Sequence, residues 1–377
     1  METNKAILPG STIGIIGGGQ LGRMMAIEAK YMGYDVVVLD PTPNCPTAQV
    51  SDEQIVASYD DMNAIKQLTE MCDVVTYEFE NVDLQAAKYI EDQGKLPQSA
   101  NVLKITQNRD KEKELMKSLN IPVSPFTVIE RKEEVKRALS ERNFPAVIKT
   151  CRGGYDGKGQ LKINSMDDLE KVENFVEEKG EKYIIEEWIT HDKEISVVLT
   201  RHASGEISFF PIAENIHKNH ILDETIAPAR ISEKVRNEAL SAAEKIVNHL
   251  QVVGTFAIEM FVKGEEIYVN ELAPRPHNSG HYTIEACNVN QFDQHIRAVC
   301  NLPLQKVRLL ERAIMVNILG EHVEPILNKL PTLTEGFLHL YGKAEVKEKR
   351  KMGHITFIAP TEEELDELVL KFKEDLS

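Results

Sequence analysis

Two glutamates, Glu259 and Glu271, lie in a pair of apolar segments separated by a short polar turn. The segments are residues 256–261 and 267–272, and this pattern predicts a β-hairpin in which Glu259 faces Asn270 or Glu271. Carboxylates in apolar strands are costly to bury unpaired, and two of them repel each other. Mg²⁺ bound with triphosphate oxygens would remove both costs, so the hairpin favours a metal–nucleotide site over two solvated side chains.

The predicted hairpin is followed directly by a loop with two prolines, which carries Arg275, His277 and Asn278. The prolines make the loop stiff, so these polar side chains should stay beside the predicted metal site. A guanidinium group can form two parallel hydrogen bonds with a small planar anion. Arg275 is therefore a candidate for binding a carboxylate or bicarbonate, and a purely structural loop is the alternative.

A glycine-rich segment, residues 150–160, joins two predicted strands and contains four glycines within seven residues. A plain hairpin needs only one or two glycines. A loop rich in free N–H groups can cradle phosphate and close over it. Lys149 ends the apolar strand before this loop and is predicted to contact a phosphate. The segment lacks the G-K-[ST] ending of a P-loop, so that motif is excluded.

A second glycine motif lies near the N-terminus, where Gly17, Gly19 and Gly22 fit the pattern G-x-G-x-x-G between a strand and a helix. Free N–H groups at a helix N-terminus suit a phosphate. Asp40 ends the next predicted strand, at the separation expected of a ribose-binding acid. A dinucleotide site and a Rossmann-like turn without a dinucleotide are equally compatible with this motif.

Three further charged residues are candidates for substrate contacts. Glu78 follows the predicted strand 73–77 at its carboxyl end, where parallel sheets place their ligands. Lys343 and Arg350 belong to the densest basic patch of the chain. A solvated turn is the usual explanation of such a patch, and a phosphate site reached from another domain is the alternative.

The elements that must position these residues follow from hydrophobic periodicity. Strands and helices alternate over the first hundred residues, which predicts a parallel sheet with helices on its faces. The fold class is therefore α/β in an N-terminal Rossmann-like domain and α+β in the remainder. We place the domains at residues 1–104, 105–300 (with a lid at about 122–186) and 301–377, since polar or proline-containing segments lie near both boundaries.

Composition excludes several classes of function. The 377 residues include 44 basic and 60 acidic side chains, a net charge of -16, which gives a nucleic-acid partner no electrostatic support. No apolar stretch approaches the roughly 20 residues of a membrane span, and the N-terminus lacks a signal-peptide pattern. Five scattered cysteines without a C-x-x-C pair indicate thiols in a reducing compartment. We therefore expect a cytoplasmic protein.

Taken together, these motifs resemble those of the ATP-grasp superfamily, over nearly the whole chain. More closely, the chain resembles the N5-carboxyaminoimidazole ribonucleotide synthetases. The strings that carry this resemblance are residues 17–23 (GGGQLGR), 77–81 (YEFEN), 153–160 (GGYDGKGQ) and 270–281 (NELAPRPHNSGH).

The resemblance implies a set of binding residues. It assigns ATP binding to Arg109, Lys149, Gly154, Tyr155, Asp156, Gly157, Lys158, Gly159, Gln160, Glu186, Glu187, Trp188, Ile189, Glu194, His217, Asn270 and Glu271. It implies Mg²⁺ on Glu259 and Glu271, and a bicarbonate pocket made of Arg275, His277 and Asn278. It assigns the ribonucleotide to Gly19, Gln20, Leu21, Glu78, Tyr155, Lys343 and Arg350.

The implied reaction is an ATP-dependent carbon–nitrogen ligation. ATP and bicarbonate would give carboxyphosphate, which would carboxylate the 5-amino group of 5-aminoimidazole ribonucleotide. Asp156 is expected to orient or deprotonate that amine. The resemblance also implies a homodimer.

Three other functions are left open by the sequence. A formate-dependent glycinamide ribonucleotide transformylase shares the P-R-P-H string but differs in the glycine loop and the hairpin. A nicotinamide dehydrogenase would use the N-terminal glycine turn and Asp40. A nucleotide-sensing module without turnover would use the same nucleotide site.

Overall fold

The computed structural model describes residues 5–153, 159–176 and 181–374. Its N-terminal part is a parallel sheet in the order β3-β2-β1-β4, with helices packed on it, as predicted. The short strand β3 was not predicted from the sequence. The elements are β1 (Thr12–Ile16), α1 (Gln20–Tyr31), β2 (Asp35–Leu39), β3 (Glu53–Ile55), α2 (Met62–Met71), β4 (Val74–Tyr77) and α3 (Leu84–Asp92).

Two helices then lead into a small antiparallel sheet in the order β5-β8-β6-β7. The glycine-rich segment joins β6 to β7, and its residues 154–158 lie outside the described part of the chain. The elements are α4 (Ala100–Thr106), α5 (Arg109–Ser118), β5 (Phe126–Ile129), α6 (Val135–Ser140), β6 (Ala146–Thr150), β7 (Gln160–Ile163), α7 (Leu169–Phe175) and β8 (Tyr183–Glu187).

A large sheet runs through the rest of the chain in the order β14-β13-β9-β11-β12-β15-β17-β16, with β10 paired to β9. Strand β15 pairs with β12, so the C-terminal strands extend the sheet that carries the hairpin. Its elements are β9 (Lys193–Arg201), β10 (Ile207–Phe209), β11 (Ala213–Lys218), β12 (Ile221–Ala227), α8 (Glu233–Leu250), β13 (Gly254–Lys263), β14 (Glu266–Ala273), α9 (Thr283–Ala286), α10 (Gln291–Val299), β15 (Arg312–Leu319), α11 (Val323–Lys329), β16 (Phe337–Leu340), β17 (Lys351–Ala359) and α12 (Glu362–Glu374).

Helix α10 connects the N-terminal sheet to the large sheet. It begins at Asn290, whose side chain accepts hydrogen bonds from the N–H groups of Phe292 and Asp293. Its apolar residues Phe292 and Ile296 are buried in the same cluster as α1. Each such side chain contributes roughly 1.5–3 kcal/mol when fully buried. The helix therefore fixes the hairpin and its following loop relative to the N-terminal glycine turn.

No helix in residues 5–153, 159–176 or 181–374 is both long and apolar enough to cross a bilayer. All five cysteines are free thiols and buried.

Candidate active site

The carboxylate pair lies in the hairpin formed by β13 and β14. Glu259 faces Glu271 across the two strands, which settles the alternative that the sequence left open. The register shifts directly after Glu259, and Asn270 is the extra residue of this bulge. In the neighbouring strand β9, Ser196 pairs with Glu259 and Glu194 pairs with Phe261. Because side chains alternate along a strand, Glu194 and Glu259 project from the same face of the sheet.

The electrostatics of this pair are those of two carboxylates brought together. Burial, followed by the charge of Glu271, raises the pKa of Glu259 to about 7. The side chain of Glu259 is only 22% exposed, and His277 lies above it with Nε2 3.6 Å from Oε1. The arrangement therefore leaves a negative site that a cation would stabilise.

A third carboxylate, Glu112, was missed by the sequence analysis. It is buried on α5, and burial together with the charge of Glu271 raises its pKa well above the usual range. Its Oε1 atom has no hydrogen-bond partner within the described residues. Its spacing from Leu115 and Met116, three and four residues on, was the available signal, because it puts Glu112 on the apolar face of the helix.

Lys149, at the end of β6, forms an ion pair with the buried Glu186. Its Nζ lies 3.4 Å from Oε2 of Glu186, and the Nζ of Lys113 lies 3.3 Å from the same atom. Burial opposes ionisation of Glu186, but the two lysines outweigh it and lower its pKa to about 2. Lys113 was also missed by the sequence analysis, since it is a buried lysine in a helix of mostly charged residues.

Arg109 anchors the start of the glycine-rich segment. Its Nη1 donates hydrogen bonds to the carbonyl groups of Thr150 at 3.0 Å and Gly153 at 2.6 Å. Arg109, Glu112, Gly153 and Glu271 line one cavity. The predicted ATP contacts Gly154, Tyr155, Asp156, Gly157 and Lys158 lie outside the described residues.

The end of the loop is described from Gly159 onward. Gly159 has φ +68, a left-handed conformation that favours glycine, and its carbonyl accepts from the N–H of Thr150. Gln160 opens β7 opposite Lys149. The base of the loop is thus a closed antiparallel ladder.

The predicted hinge lies at the carboxyl end of β8, an inner strand of the small sheet. The N–H of Glu187 donates to the carbonyl of Pro125, and that of Trp188 donates to the carbonyl of Pro145, both at 2.9 Å. The carbonyl of Ile189 lies 3.2 Å from Nδ1 of His191. The first two contacts hold the backbone of the hinge against the small sheet.

Glu194, the predicted ribose contact, lies between two histidines. Its oxygens are 3.1 Å from His191 Nε2 and 3.1 Å from His217 Nδ1. Burial opposes ionisation, but the two imidazoles lower the pKa of Glu194 to about 2. His191 also stacks on Phe261, with ring centroids 4.6 Å apart, so the carboxylate is held in place.

The loop after the hairpin carries the predicted anion pocket. Arg275 is paired with Glu80, with Nε and Nη2 both 2.8 Å from Oε2. Burial, with the charge of Arg275 next, lowers the pKa of His277 well below its usual range, so its imidazole is neutral. Asn278 exchanges two side-chain hydrogen bonds of 3.0 Å with Asn317. The loop therefore presents one cation and two neutral polar groups.

The N-terminal glycine turn corrects one expectation. Its N–H groups are not free, since Gly18 donates to Asp40 at 2.7 Å and Gly22 donates to Glu78 at 2.8 Å. Gly19 donates to the other oxygen of Glu78. The positive end of α1 stabilises the carboxylate of Glu78, which takes the place expected for a phosphate. Gln20 and Leu21 form the first turn of α1.

Asp40 is also engaged within the chain. Its carboxylate accepts from Gly18 and from the hydroxyl of Tyr59 at 2.6 Å, and it is 6% exposed. A ribose hydroxyl would have to displace one of these donors. The geometry therefore disfavours the dinucleotide reading of the motif.

The basic patch is joined to the N-terminal part by Gln49. The Nε2 of Gln49 donates to the carbonyl of Gly342 at 2.8 Å, and its Oε1 accepts from Arg23 of α1. Lys343, next to Gly342, donates to the carbonyl of Lys351 at 2.6 Å. Arg350 is exposed and donates to the carbonyl of Glu345. Gln49 thus bridges the first helix and the segment that carries the patch.

Lys351 is a further residue that the sequence analysis did not single out. Its charge lowers the pKa of both Glu259 and His277. It begins β17, so the C-terminal strands bring a cation toward the hairpin carboxylates.

Comparisons with known proteins identify the family to which this chain belongs. Residues 114–292 match the ATP-grasp domain, residues 10–107 the ribonucleotide synthetase preATP-grasp domain, and residues 313–368 the phosphoribosylaminoimidazole carboxylase C-terminal domain. The N5-carboxyaminoimidazole ribonucleotide synthase of Bacillus subtilis (strain 168) is 48% identical over 363 residues, 96% of this chain and 95% of that protein. This chain belongs to the N5-carboxyaminoimidazole ribonucleotide synthase family. The synthase of Staphylococcus aureus (strain COL) is 44% identical over 93% of each chain.

Solved structures of the N5-carboxyaminoimidazole ribonucleotide synthase family share the whole fold. The Staphylococcus aureus synthetase complexed with ADP has a TM-score of 0.93 and 42% identity, and 99% of each chain is covered. The Aspergillus clavatus synthase in complex with ADP and 5-aminoimidazole ribonucleotide has a TM-score of 0.89 and 30% identity, with 97% of this chain and 98% of that chain covered. The predicted family, the ATP-grasp fold and the class of ATP-dependent ligase are confirmed.

Proposed function

We propose that this chain uses ATP and bicarbonate to carboxylate the 5-amino group of 5-aminoimidazole ribonucleotide, in de novo purine biosynthesis. Carboxyphosphate and ADP form first; the amine then attacks the carboxyl carbon and phosphate leaves, giving N5-carboxyaminoimidazole ribonucleotide. The observation that carries the proposal is the opposed pair Glu259 and Glu271 beside the loop of Arg275 and His277. A metal–triphosphate site on this pair would lie within reach of a small-anion site in the loop.

The residues present fit Mg²⁺ bound together with ATP. Glu259 and Glu271 are hard oxygen ligands, and Asn270 is their neighbour in the bulge. No group of three or more metal-ligating side chains occurs in residues 5–153, 159–176 or 181–374. Two protein carboxylates with phosphate oxygens completing the shell are how Mg²⁺ is usually held with a nucleotide. When bound, Mg²⁺ neutralises charge on the transferred phosphoryl group.

The nucleotide would lie along the small sheet and the hairpin. Arg109 and Lys149 would contact its phosphates, with the glycine loop closing over them. Glu186 keeps Lys149 extended toward the site through the 3.4 Å contact. The adenine would lie against the hinge of Glu187, Trp188 and Ile189, and its ribose near Glu194 and His217.

Bicarbonate would bind in the loop after the hairpin. Arg275 has its Nε and Nη2 on Glu80, which fixes the plane of the guanidinium. His277 is neutral and can donate one hydrogen bond to the anion, and Asn278 is held by Asn317 at its side. Binding energy at this loop would hold the anion in line with the phosphoryl group.

The ribonucleotide would lie in the cleft between α1 and the basic patch. Gly19, Gln20, Leu21 and Glu78 would contact it from one side, and Lys343 and Arg350 from the other. Tyr155 and Asp156 of the loop would close this site. Because carboxyphosphate is short-lived in water, the lid of residues 122–186 must exclude solvent while the amine attacks.

We assign to Asp156 the role of orienting or deprotonating the amine, because it is a carboxylate in the closing loop. Asp156→Asn should lower the ribonucleotide-dependent rate about a hundredfold and leave ATP binding intact, as removal of a general base does. An unchanged ribonucleotide-dependent rate in the variant would remove the assignment.

The proposal is tested by ADP release in a coupled assay. Release with bicarbonate should be slow and should rise when 5-aminoimidazole ribonucleotide is added. Release that requires formate and glycinamide ribonucleotide instead would identify a transformylase. Binding of a nicotinamide dinucleotide without ATP binding in calorimetry would identify a dehydrogenase.

We also propose a cytoplasmic homodimer, which the resemblance implies. Light scattering on the purified chain should give about twice the 42.5 kDa of one copy. A mass of one copy at all concentrations would exclude the dimer.

A further inference from the structure

Gln291 is a buried amide that holds the backbone of His277 from both sides. It is the first residue of α10 and is 0% exposed. Its Oε1 accepts from the N–H of His277 at 2.9 Å, and its Nε2 donates to the carbonyl of the same residue at 2.8 Å. The side chain thus pairs with the backbone N–H and C=O of one loop residue, as a neighbouring strand would.

The side-chain amide of Gln291 has no room to turn, and the backbone of the residue is also fixed. The backbone N–H of Gln291 donates to Thr283 Oγ1 at 3.1 Å, and its backbone carbonyl accepts from Thr255 Oγ1 at 2.9 Å. A methyl group at Gly280 would lie 2.4 Å from its Oε1, so the loop packs tightly on the amide. The position of the His277 backbone is therefore fixed by α10 and β13 rather than by the loop itself.

The orientation of this amide also fixes a proton on His281. The N–H of His277 is a donor, so the atom of Gln291 that faces it must be the acceptor Oε1. The Nε2 of Gln291 is then the atom that faces the carbonyl of His277 and the ring of His281. The Nε2 of Gln291 lies 3.2 Å from Nδ1 of His281, which must then be the acceptor. The proton of a neutral His281 is consequently on its Nε2.

We infer that Gln291 is a positioning residue for the bicarbonate pocket, acting through the backbone of His277 and the tautomer of His281. The inference rests on the proposed function, because it takes His277 as part of that pocket. Gln291 itself touches neither substrate. Its loss should let the loop shift, and small displacements of a binding group have large effects on affinity and rate.

The same helix supplies a matched control. Gln294 is also 0% exposed and also pairs with the backbone of one residue, accepting from the N–H of Gln305 at 2.9 Å and donating to its carbonyl at 2.7 Å. Gln305 lies outside the loop. Methionine at either position keeps the volume and removes the hydrogen bonds, so the two variants should lose similar stability.

The test compares Gln291→Met with Gln294→Met in the ADP-release assay. We expect Gln291→Met to raise the KM for bicarbonate about tenfold, which corresponds to the loss of one to two buried hydrogen bonds. The KM for ATP should stay within about twofold of wild type. Gln294→Met should leave both values within about twofold. Equal bicarbonate KM values in the two variants, or a matching rise in the KM for ATP, would overturn the inference.

A second measurement needs no variant to fold. In the ¹⁵N spectrum of histidine-labelled wild-type protein, the ring of His281 should carry its proton on Nε2. A proton on Nδ1 would contradict the inference directly. If wild type shows the expected tautomer but no bicarbonate-dependent ADP release, the proposed function fails and the structural role of Gln291 stands.

Discussion

Replacing Glu259 by Gln should stabilise the protein at alkaline pH while it weakens nucleotide binding. The substitution keeps the size of the side chain and removes its negative charge. The side chain of Glu259 is 22% exposed and lies opposite Glu271. In the folded protein the pKa of this carboxyl is raised from 4.5 to about 7. A tenfold change in an ionisation constant corresponds to about 1.4 kcal/mol, so a shift of this size means that full ionisation of Glu259 costs about 3 kcal/mol of folding free energy.

The sign follows from proton binding in the two states. Between pH 4.5 and about 7 the folded protein holds more protons on Glu259 than the unfolded chain does. The free energy of unfolding of wild type therefore falls as pH rises through this window, and the variant lacks this fall. At pH 8 without nucleotide, Glu259→Gln should be the more stable protein by about 3 kcal/mol, and at pH 5 the difference should be under about 1 kcal/mol.

Thermal unfolding without nucleotide, at pH 5 and pH 8, measures this difference. Glu266→Gln is the control, since Glu266 is exposed at the turn of the same hairpin and should shift neither melting temperature. Addition of Mg·ADP should raise the melting temperature of wild type more than that of Glu259→Gln. A variant that is less stable than wild type at pH 8, or equally stabilised by Mg·ADP, would refute the reasoning.

Two further predictions concern the buried cluster of Lys113, Lys149 and Glu186. Lys113→Met leaves Glu186 with one cation, so Lys149 should be drawn toward Glu186 and away from the phosphates. The KM for ATP in the ADP-release assay should then rise about tenfold, with the KM for bicarbonate unchanged. An unchanged KM for ATP would contradict this prediction. Glu186→Gln leaves Lys113 buried without its anion and should cost about 3–5 kcal/mol in urea unfolding at pH 7. Because the pKa of Glu186 is lowered to about 2, its contribution to the free energy of unfolding is present above pH 4.5 and is lost as pH falls toward 2. The difference in unfolding free energy between wild type and Glu186→Gln, which is the gap to compare, should therefore narrow by pH 3. A gap that does not change with pH would be the contrary result.

The sequence was sufficient wherever local pattern decides structure. The period of strands and helices predicted the parallel sheet of the first hundred residues, and the two-residue turn of the hairpin placed Glu259 opposite its partner to within one residue. The bulge after Glu259 was beyond the sequence, because an extra residue in one strand depends on what both neighbouring strands can pair with.

Burial and distant partners were decided by the tertiary structure alone. Lys113 lies in a helix of mostly charged residues, yet the packing of α5 against the hairpin buries it together with Glu112. Gln291 meets His277 only because α10 packs back on the loop.

The glycine turn shows the same division. Its sequence determined a sharp turn at a helix N-terminus, with N–H groups that need an anion. Only the fold decided that Asp40 and Glu78, the acids that follow the two strands on either side of β1, supply that anion. The physical reason is that a pattern of glycines fixes backbone geometry locally, whereas the partner of an N–H group is set by which strand ends meet at one edge of the sheet.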